Sequence, residues 1–269
     1  MSIVDTHAHL YSEDEVHYPP ISRPTRPPAG TGTIEHLLKV KTEAGVTHVV
    51  AVQTGSFYRW DNLLMADTVR AHREWMAGVC NLQSDDPASP DTFARLAEEY
   101  GIRGLRLEPP PNGRSYDHPG AVAICERARE RGLVICAHLH GTTHLPALAR
   151  LVARFPEVPF VLDHCAYPKV SDPSILQQVL ALARFPNLLP KISFYLYRSA
   201  EWVDMARQVI AAFGPERCMW GSDFPAELWH PELTYVEHLQ ILMDEICLSE
   251  KERWAVLDTT PMRIWFPKQ

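Results

Sequence analysis

Two histidines separated by one residue, His7 and His9 in Val4-Asp5-Thr6-His7-Ala8-His9, head the residues of this chain whose types and spacing could do chemistry. Side chains alternate along a strand, so positions i and i+2 share a face. Two neutral imidazoles held on one face are half of a site for zinc, iron, nickel or copper. An isolated pair reads equally well as two polar residues at a strand end. Further along, Arg106 and Glu108, His138 and His140, His164, Lys191 and Asp223 all fall near the ends of short apolar runs. A random scatter of 13 histidines would seldom put five of them at such ends.

The elements that must position these residues follow from hydrophobic periodicity. Short β-rich runs occur at Ile3 to His9, Thr47 to Gln53, Met76 to Leu82, Ile102 to Glu108, Leu133 to His140, Pro159 to Ala166, Asn187 to Phe194 and Cys218 to Pro225. Between them, Ile34 to Ala44, Asp61 to His72, Pro90 to Tyr100, Pro119 to Arg131 and His144 to Phe155 carry apolar residues at three- and four-residue intervals, the spacing of amphipathic helices. Gly45, Gly101, Gly132, Pro156, Pro186 and Gly214 each stop a stretch just before the next run. Strand and helix alternating in this way, with no break in composition, predict an α/β chain folded as one (β/α)8 TIM-barrel domain over residues 1–269. An open doubly wound sheet normally has a Gly-rich first turn, and here that turn is Leu10-Tyr11-Ser12-Glu13. In such a barrel, chemistry sits at the C-terminal strand ends, where the residues named above fall. The other histidines, His17, His36, His48, His72, His118, His144, His230 and His238, lie on loops or helical stretches and read as ordinary polar residues.

One connection is long: Leu10 to Thr33, rich in Pro, Arg and Tyr, is expected to be a lid or binding loop that brings His17, Tyr18, Arg23 or Arg26 to an anionic substrate. A solvated surface excursion is the alternative. Composition restricts the partners. With 46% hydrophobic and 22% charged residues the chain has an ordinary globular balance, and its net charge of −7 argues against nucleic acid. No run approaches a membrane span and the N-terminus lacks the form of a signal peptide, so a cytoplasmic protein acting on a small molecule is expected, with homo-oligomerisation left open. The six cysteines are scattered singly in apolar surroundings and read as reduced core residues.

Asp5-Thr6-His7-Ala8-His9, the strand-five His, Leu162-Asp163-His164 and Trp220-Gly221-Ser222-Asp223-Phe224-Pro225 together resemble the amidohydrolase superfamily, in particular its amidohydrolase-2 branch of barrel hydrolases, lactonases and decarboxylases. The resemblance runs from Asp5 to the terminal Thr-Thr-Pro-Met-Arg-Ile-Trp-Phe segment. Gly101-Ile102-Arg103-Gly104-Leu105-Arg106 with Asp163-His164-Cys165-Ala166-Tyr167-Pro168 is most similar to the lactonase subgroup of sugar and pyrone-dicarboxylate lactonases. The resemblance implies His7 and His9 as metal ligands, and Asp223 as the carboxylate that contacts the metal and handles the proton of the attacking water. It also implies His138 as the strand-five ligand, with His140 competing for that place. His164 matches a residue that is a base or hydrogen-bond donor in some members and a ligand in others. No lysine ends the fourth strand to bridge two metals, so one divalent ion, zinc or manganese, is expected. Some lactonases of this kind work without metal.

A divalent ion on imidazoles and one carboxylate keeps an open position, lowers the pKa of bound water toward ~7 and polarises a carbonyl. Arg106 or Arg103 could clamp a substrate carboxylate with its planar fork, or Arg106 could pair with Glu108. Arg106, His140, Tyr167 and Arg23 are the candidate substrate contacts. The leading reading is metal-dependent hydrolysis of a lactone or related cyclic ester of a small carboxylated or sugar-derived substrate. Beside it stand non-oxidative decarboxylation of an aromatic or unsaturated acid, and a non-catalytic metal-binding barrel.

Overall fold

The computed structural model describes residues 2–193, 200–229, 231–247 and 249–267. The eight expected runs each contain a strand: β1 Val4–Ala8, β2 His48–Val52, β3 Met76–Asn81, β4 Ile102–Leu107, β5 Val134–Ala137, β6 Phe160–Leu162, β7 Leu188–Ile192 and β8 Met219–Trp220. Every adjacent pair is parallel, in the order β1 to β8. A parallel bridge between Ala8 and Phe224, with the His9 N–H donating to the Phe224 carbonyl at 2.8 Å, joins the end of β8 back to β1. This is the TIM barrel expected from the alternation of periods.

The helices follow the amphipathic stretches: Ile34–Glu43, Leu63–Ala71, Ser89–Tyr100, Pro119–Arg131 and Leu145–Arg154. Thr33 caps the first by accepting from the His36 N–H. Gly101 ends the third in the left-handed conformation, φ 75°, which glycine adopts without a Cβ penalty. All six cysteines are free and buried.

Several strands are shorter than their apolar runs. The run Leu133 to His140 is strand only over 134–137, Pro159 to Ala166 only over 160–162, and Cys218 to Pro225 only over 219–220. In each case the residues beyond the strand are those with polar side chains for the barrel mouth, where the backbone leaves the ladder. The expected end of the seventh run at Phe194, and His230, lie outside the described residues.

Period-two alternation divides the barrel interior into a dry floor and a charged roof. Val50 and Val52, Ala77 and Val79, Val134 and Cys136, Val161, Leu189 and Met219 form one apolar cluster, sealed by Ile264 and Trp265 from the closing helix Thr260–Trp265. Two residues further along the same columns come Asn81, His138, Asp163 and Lys191. Burying so many polar groups is tolerable only where they pair with one another or face a ligand.

The long loop packs against residues 55–58. Ile21 N–H donates to the Phe57 carbonyl at 2.8 Å and Thr25 N–H to the Ser56 carbonyl at 3.0 Å, while Tyr11 meets Phe57 edge-on. Arg26 pairs with Glu15 and lies over the Phe57 ring, and the Tyr18 hydroxyl donates to Asp67.

Candidate active site

At the C-terminal end of the barrel a cavity of about 670 Å³ opens, lined by His9, Arg106, Glu108, His138, His140, His164, Tyr167, Lys169, Ser193, Trp202, Asp223 and Trp229 together with Gly55, Ser56, Arg59 and Pro168. Of the residues singled out from sequence, His9, Arg106, Glu108, His138, His140, His164, Tyr167 and Asp223 line it, whereas His7, Lys191, Arg103, His17, Tyr18, Arg23 and Arg26 do not. His7 lies fully buried beneath it. Arg23 is exposed on the long loop and is not brought to the cavity.

His7, His9 and Asp223 converge at its floor, with ligand atoms within 4.8 Å of one another. His7 Nε2 is 3.2 Å from His9 Nε2 and 3.4 Å from Asp223 Oδ1, and His9 Nε2 is 3.8 Å from the same oxygen. A tetrahedral shell with bonds of about 2.0–2.1 Å has edges of about 3.3 Å, so these spacings fit one divalent ion. His9 Nδ1 is 2.9 Å from the Val52 carbonyl, to which it donates, and this turns the Nε2 lone pair inward. His138 is not brought into this trio. Its Nδ1 faces Glu108 Oε1 at 3.7 Å and its Nε2 the Tyr167 hydroxyl at 3.2 Å, so it forms the cavity wall instead. His140 stacks on Tyr167 with ring centroids 4.3 Å apart. His164 Nε2 stands 4.0 Å from Asp223 Oδ1, while its Nδ1 is 2.7 Å from Ser193 Oγ.

Burial sets the ionisation of this floor. It pushes Asp223 up to about 7, against the opposing pull of Arg106. Burial, reinforced by Arg106, lowers His9 to about 3 and His138 to about 4. His7 and His164 are also driven down by burial and stay neutral. Burial works to raise Glu108, but its bond to His138 and the charge of Arg106 overcome this and hold it at about 2.

Two local features place the side chains. After β6 the backbone turns through four successive left-handed residues, His164, Cys165, Ala166 and Tyr167, with φ between 49° and 58°. Left-handed L-residues cost roughly 1–2 kcal/mol each, and such strain gathers at functional sites. This turn puts both His164 and Tyr167 on the cavity wall. Asp223 is left-handed too, φ 59°. Behind it, Asp5 accepts from the backbone N–H and hydroxyl of Ser222, from the His7 N–H and from the Tyr235 hydroxyl, which ties β1 to the loop carrying Asp223.

The charged layer contains a buried ion cluster in which Asp163 and Lys191 join Arg106. Lys191 Nζ is 2.8 Å from Asp163 Oδ1, and Arg106 Nε is 3.5 Å from Asp163 Oδ2. Arg106 therefore pairs with Asp163, and its closeness to Glu108 is secondary. Lys191 also donates to His7 Nδ1 at 3.1 Å. Gly221 makes room for this: a Cβ there would come 2.7 Å from His7 Cβ and 3.3 Å from Lys191 Cδ. The signal for Asp163 and Lys191 was present in the sequence, because each continues the inward period of its strand. Arg217, near Asp223 in sequence, points away to the carbonyls of Phe213, Ala183 and Phe185.

A parallel eightfold barrel with a His-x-His pair on its first strand and an aspartate after its last defines an amidohydrolase-type barrel. The amidohydrolase family profile matches residues 4–266, and the chain belongs to that family. An L-fucono-1,5-lactonase from Burkholderia ambifaria is 29% identical over 161 residues, 56% of this chain and 54% of the lactonase, so the match spans about half the length of that relative. A candidate 2-pyrone-4,6-dicarboxylic acid hydrolase from Pseudomonas putida has the same fold, with a TM-score of 0.80 at 22% identity over 100% of this chain and 98% of its own. So does a 5-carboxyvanillate decarboxylase from Sphingomonas paucimobilis, with a TM-score of 0.73 at 19% identity over 98% and 99%. No helix among the described residues is long and apolar enough to cross a membrane.

Proposed function

We propose that the chain is a hydrolase that opens a lactone or related cyclic ester of a small carboxylated or sugar-derived acid. The observation that carries this reading is Asp223, a carboxylate at the cavity floor among His7, His9 and His164, raised by burial to about 7. In the ion-free site a base with that affinity for protons is matched to neutral pH: it can take a proton from water and return it to the leaving ring oxygen. The partial match to a lactonase supports the choice of a cyclic ester.

One divalent ion, zinc or manganese, fits against His7, His9 and Asp223; when bound it supplies Lewis-acid polarisation of the carbonyl and acidifies water. The chain's own groups do the rest. His164, neutral and held by Ser193, faces Asp223 across 4.0 Å, a gap that a bound water or substrate oxygen between them would close. Arg106, buried and paired at one edge with Asp163, presents its remaining donors to the cavity, where they suit a substrate carboxylate. The stacked His140 and Tyr167 and the indoles of Trp202 and Trp229 offer flat faces to a ring.

The test is incubation of the purified protein with sugar lactones and muconate-type lactones, following acid release at constant pH, alongside aromatic acids with carbon dioxide measured. Acid release without carbon dioxide is expected. Carbon dioxide release would transfer the same residues to the decarboxylase reading, which the fold shared with the 5-carboxyvanillate decarboxylase keeps in view. Neither product would point to a non-catalytic barrel.

A further inference from the structure

Lys191 is fully buried, does not line the cavity, and yet sits directly behind a proposed metal ligand. Its ammonium is held in place by Asp163 Oδ1 at 2.8 Å, and that carboxylate is held charged by Lys191 and Arg106 together despite its burial. Lys191 Nζ stands 3.1 Å from His7 Nδ1; the Asp163 oxygen is farther, at 3.8 Å. An ammonium has only donors, so His7 Nδ1 must accept. A neutral imidazole carries one proton, which then sits on Nε2 and points at His9 Nε2, 3.2 Å away. His9 in turn donates from Nδ1 to the Val52 carbonyl. The hydrogen bonds thus run in one direction, from Lys191 through His7 and His9 to Val52, with both ring nitrogens of each imidazole satisfied.

A metal at His7 Nε2 needs the opposite tautomer. The ring proton would move to Nδ1 and face the protons of Lys191 at hydrogen-bond distance. Ligating histidines ordinarily have an acceptor behind them, a carboxylate or carbonyl that receives the second ring N–H. His9 has one, Val52, at 2.9 Å; behind His7, among the described residues, the Asp163 carboxylate is 3.8 Å away, beyond hydrogen-bond distance, and Lys191 is closer.

We propose that Lys191 is a positioning residue that fixes the proton of His7 on Nε2, and that it thereby sets how weakly this site holds a divalent ion. The metal-free floor is a complete hydrogen-bonded state, and an ion enters only by breaking the Lys191–His7 and His7–His9 bonds. The inference rests on His7 and His9 facing a common ion and makes no use of the substrate.

Two measurements without substrate test it. In metal-free protein labelled with ¹⁵N-histidine, the His7 resonances, assigned by their loss in His7→Gln, are expected to show a protonated Nε2 and an unprotonated Nδ1. A protonated Nδ1 overturns the proposal. Zinc affinity, measured by competition with a chromophoric chelator, is expected to rise about tenfold or more in Lys191→Met, the scale of one lost hydrogen bond to a charged group. The double variant Lys191→Met/Asp163→Asn, which leaves neither charge of the pair behind, is expected to show the same rise. Equal or weaker zinc binding in the folded variants overturns the proposal. If neither variant folds, the tautomer in the unaltered protein decides. Because neither readout involves turnover, failure here leaves the hydrolase reading intact, and failure to open lactones leaves this inference intact.

Discussion

Replacing Asp223 by Asn removes a buried negative charge without changing size, so catalysis and stability should move in opposite directions. The left-handed backbone at this position, φ 59°, is one that Asn also adopts readily, so the loop is expected to keep its course. Burial raises the folded-state pKa from 3.8 to about 7, so the folded protein binds the proton more tightly than the unfolded chain does. Stability is therefore lost as pH rises from about 4 through about 7, and the loss is complete above that. At about 1.4 kcal/mol per pH unit the full penalty is about 4 kcal/mol, an upper bound because the side chain keeps 15% of its surface exposed. Asn carries no such penalty. In chelated protein, Asp223→Asn should melt higher than wild type, and the gap should widen by about 2 kcal/mol between pH 5 and pH 8, which is several degrees in a chain of this size. Calorimetry at the two pH values measures it. Turnover should fall about 10²- to 10⁴-fold, the usual loss for a positioned base, and any turnover of the chelated wild type should rise with pH through about 7. A melting gap that stays constant with pH, or more than a tenth of the activity retained, would refute the argument and move the proton-carrying role to His164.

Other expectations follow from single contacts. Arg106→Lys keeps the charge but loses the planar fork, so kcat/KM for a carboxylated lactone should drop about 10- to 100-fold while an uncharged lactone is little affected; an equal drop for both would remove Arg106 from substrate recognition. Gly221→Ala forces a methyl to 2.7 Å from His7 Cβ and should cost about 1–3 kcal/mol in urea unfolding, and an unchanged midpoint would show that the β1–β8 seam is looser than described. Arg23→Ala should leave KM within about twofold, since Arg23 is exposed and does not line the cavity; a large rise in KM would show that this part of the loop reaches the substrate.

The barrel was legible because its signal is repeated: each run and each amphipathic stretch is short, but their alternation admits few folds. The mouth of the barrel was legible for the same reason, since strand-end residues in a parallel barrel must lie together. What the sequence did not disclose depends on local backbone or on side-chain choice. His138 and His140 share a face by parity, yet the chain leaves the ladder after Ala137, and His138 turns to Glu108 and Tyr167 rather than to His7 and His9. The left-handed turn at His164 to Tyr167 has no glycine to announce it. Nothing in the Pro-rich loop's sequence announces its seat, which is set by backbone bonds to Ser56 and Phe57 and leaves Arg23 exposed rather than lining the cavity. Lys191 was visible at its strand end, but its partner Asp163 is distant in sequence, and only the closed barrel brings the pair under His7.

The most direct test of the hydrolytic reading is turnover of a lactone in ¹⁸O-water, with the products analysed by mass. The account predicts one ¹⁸O in the new carboxylate per ring opened, no carbon dioxide, and loss of this labelling rate in Asp223→Asn. Labelled bicarbonate with an intact ring, or ring opening no faster than in protein-free buffer, would contradict it.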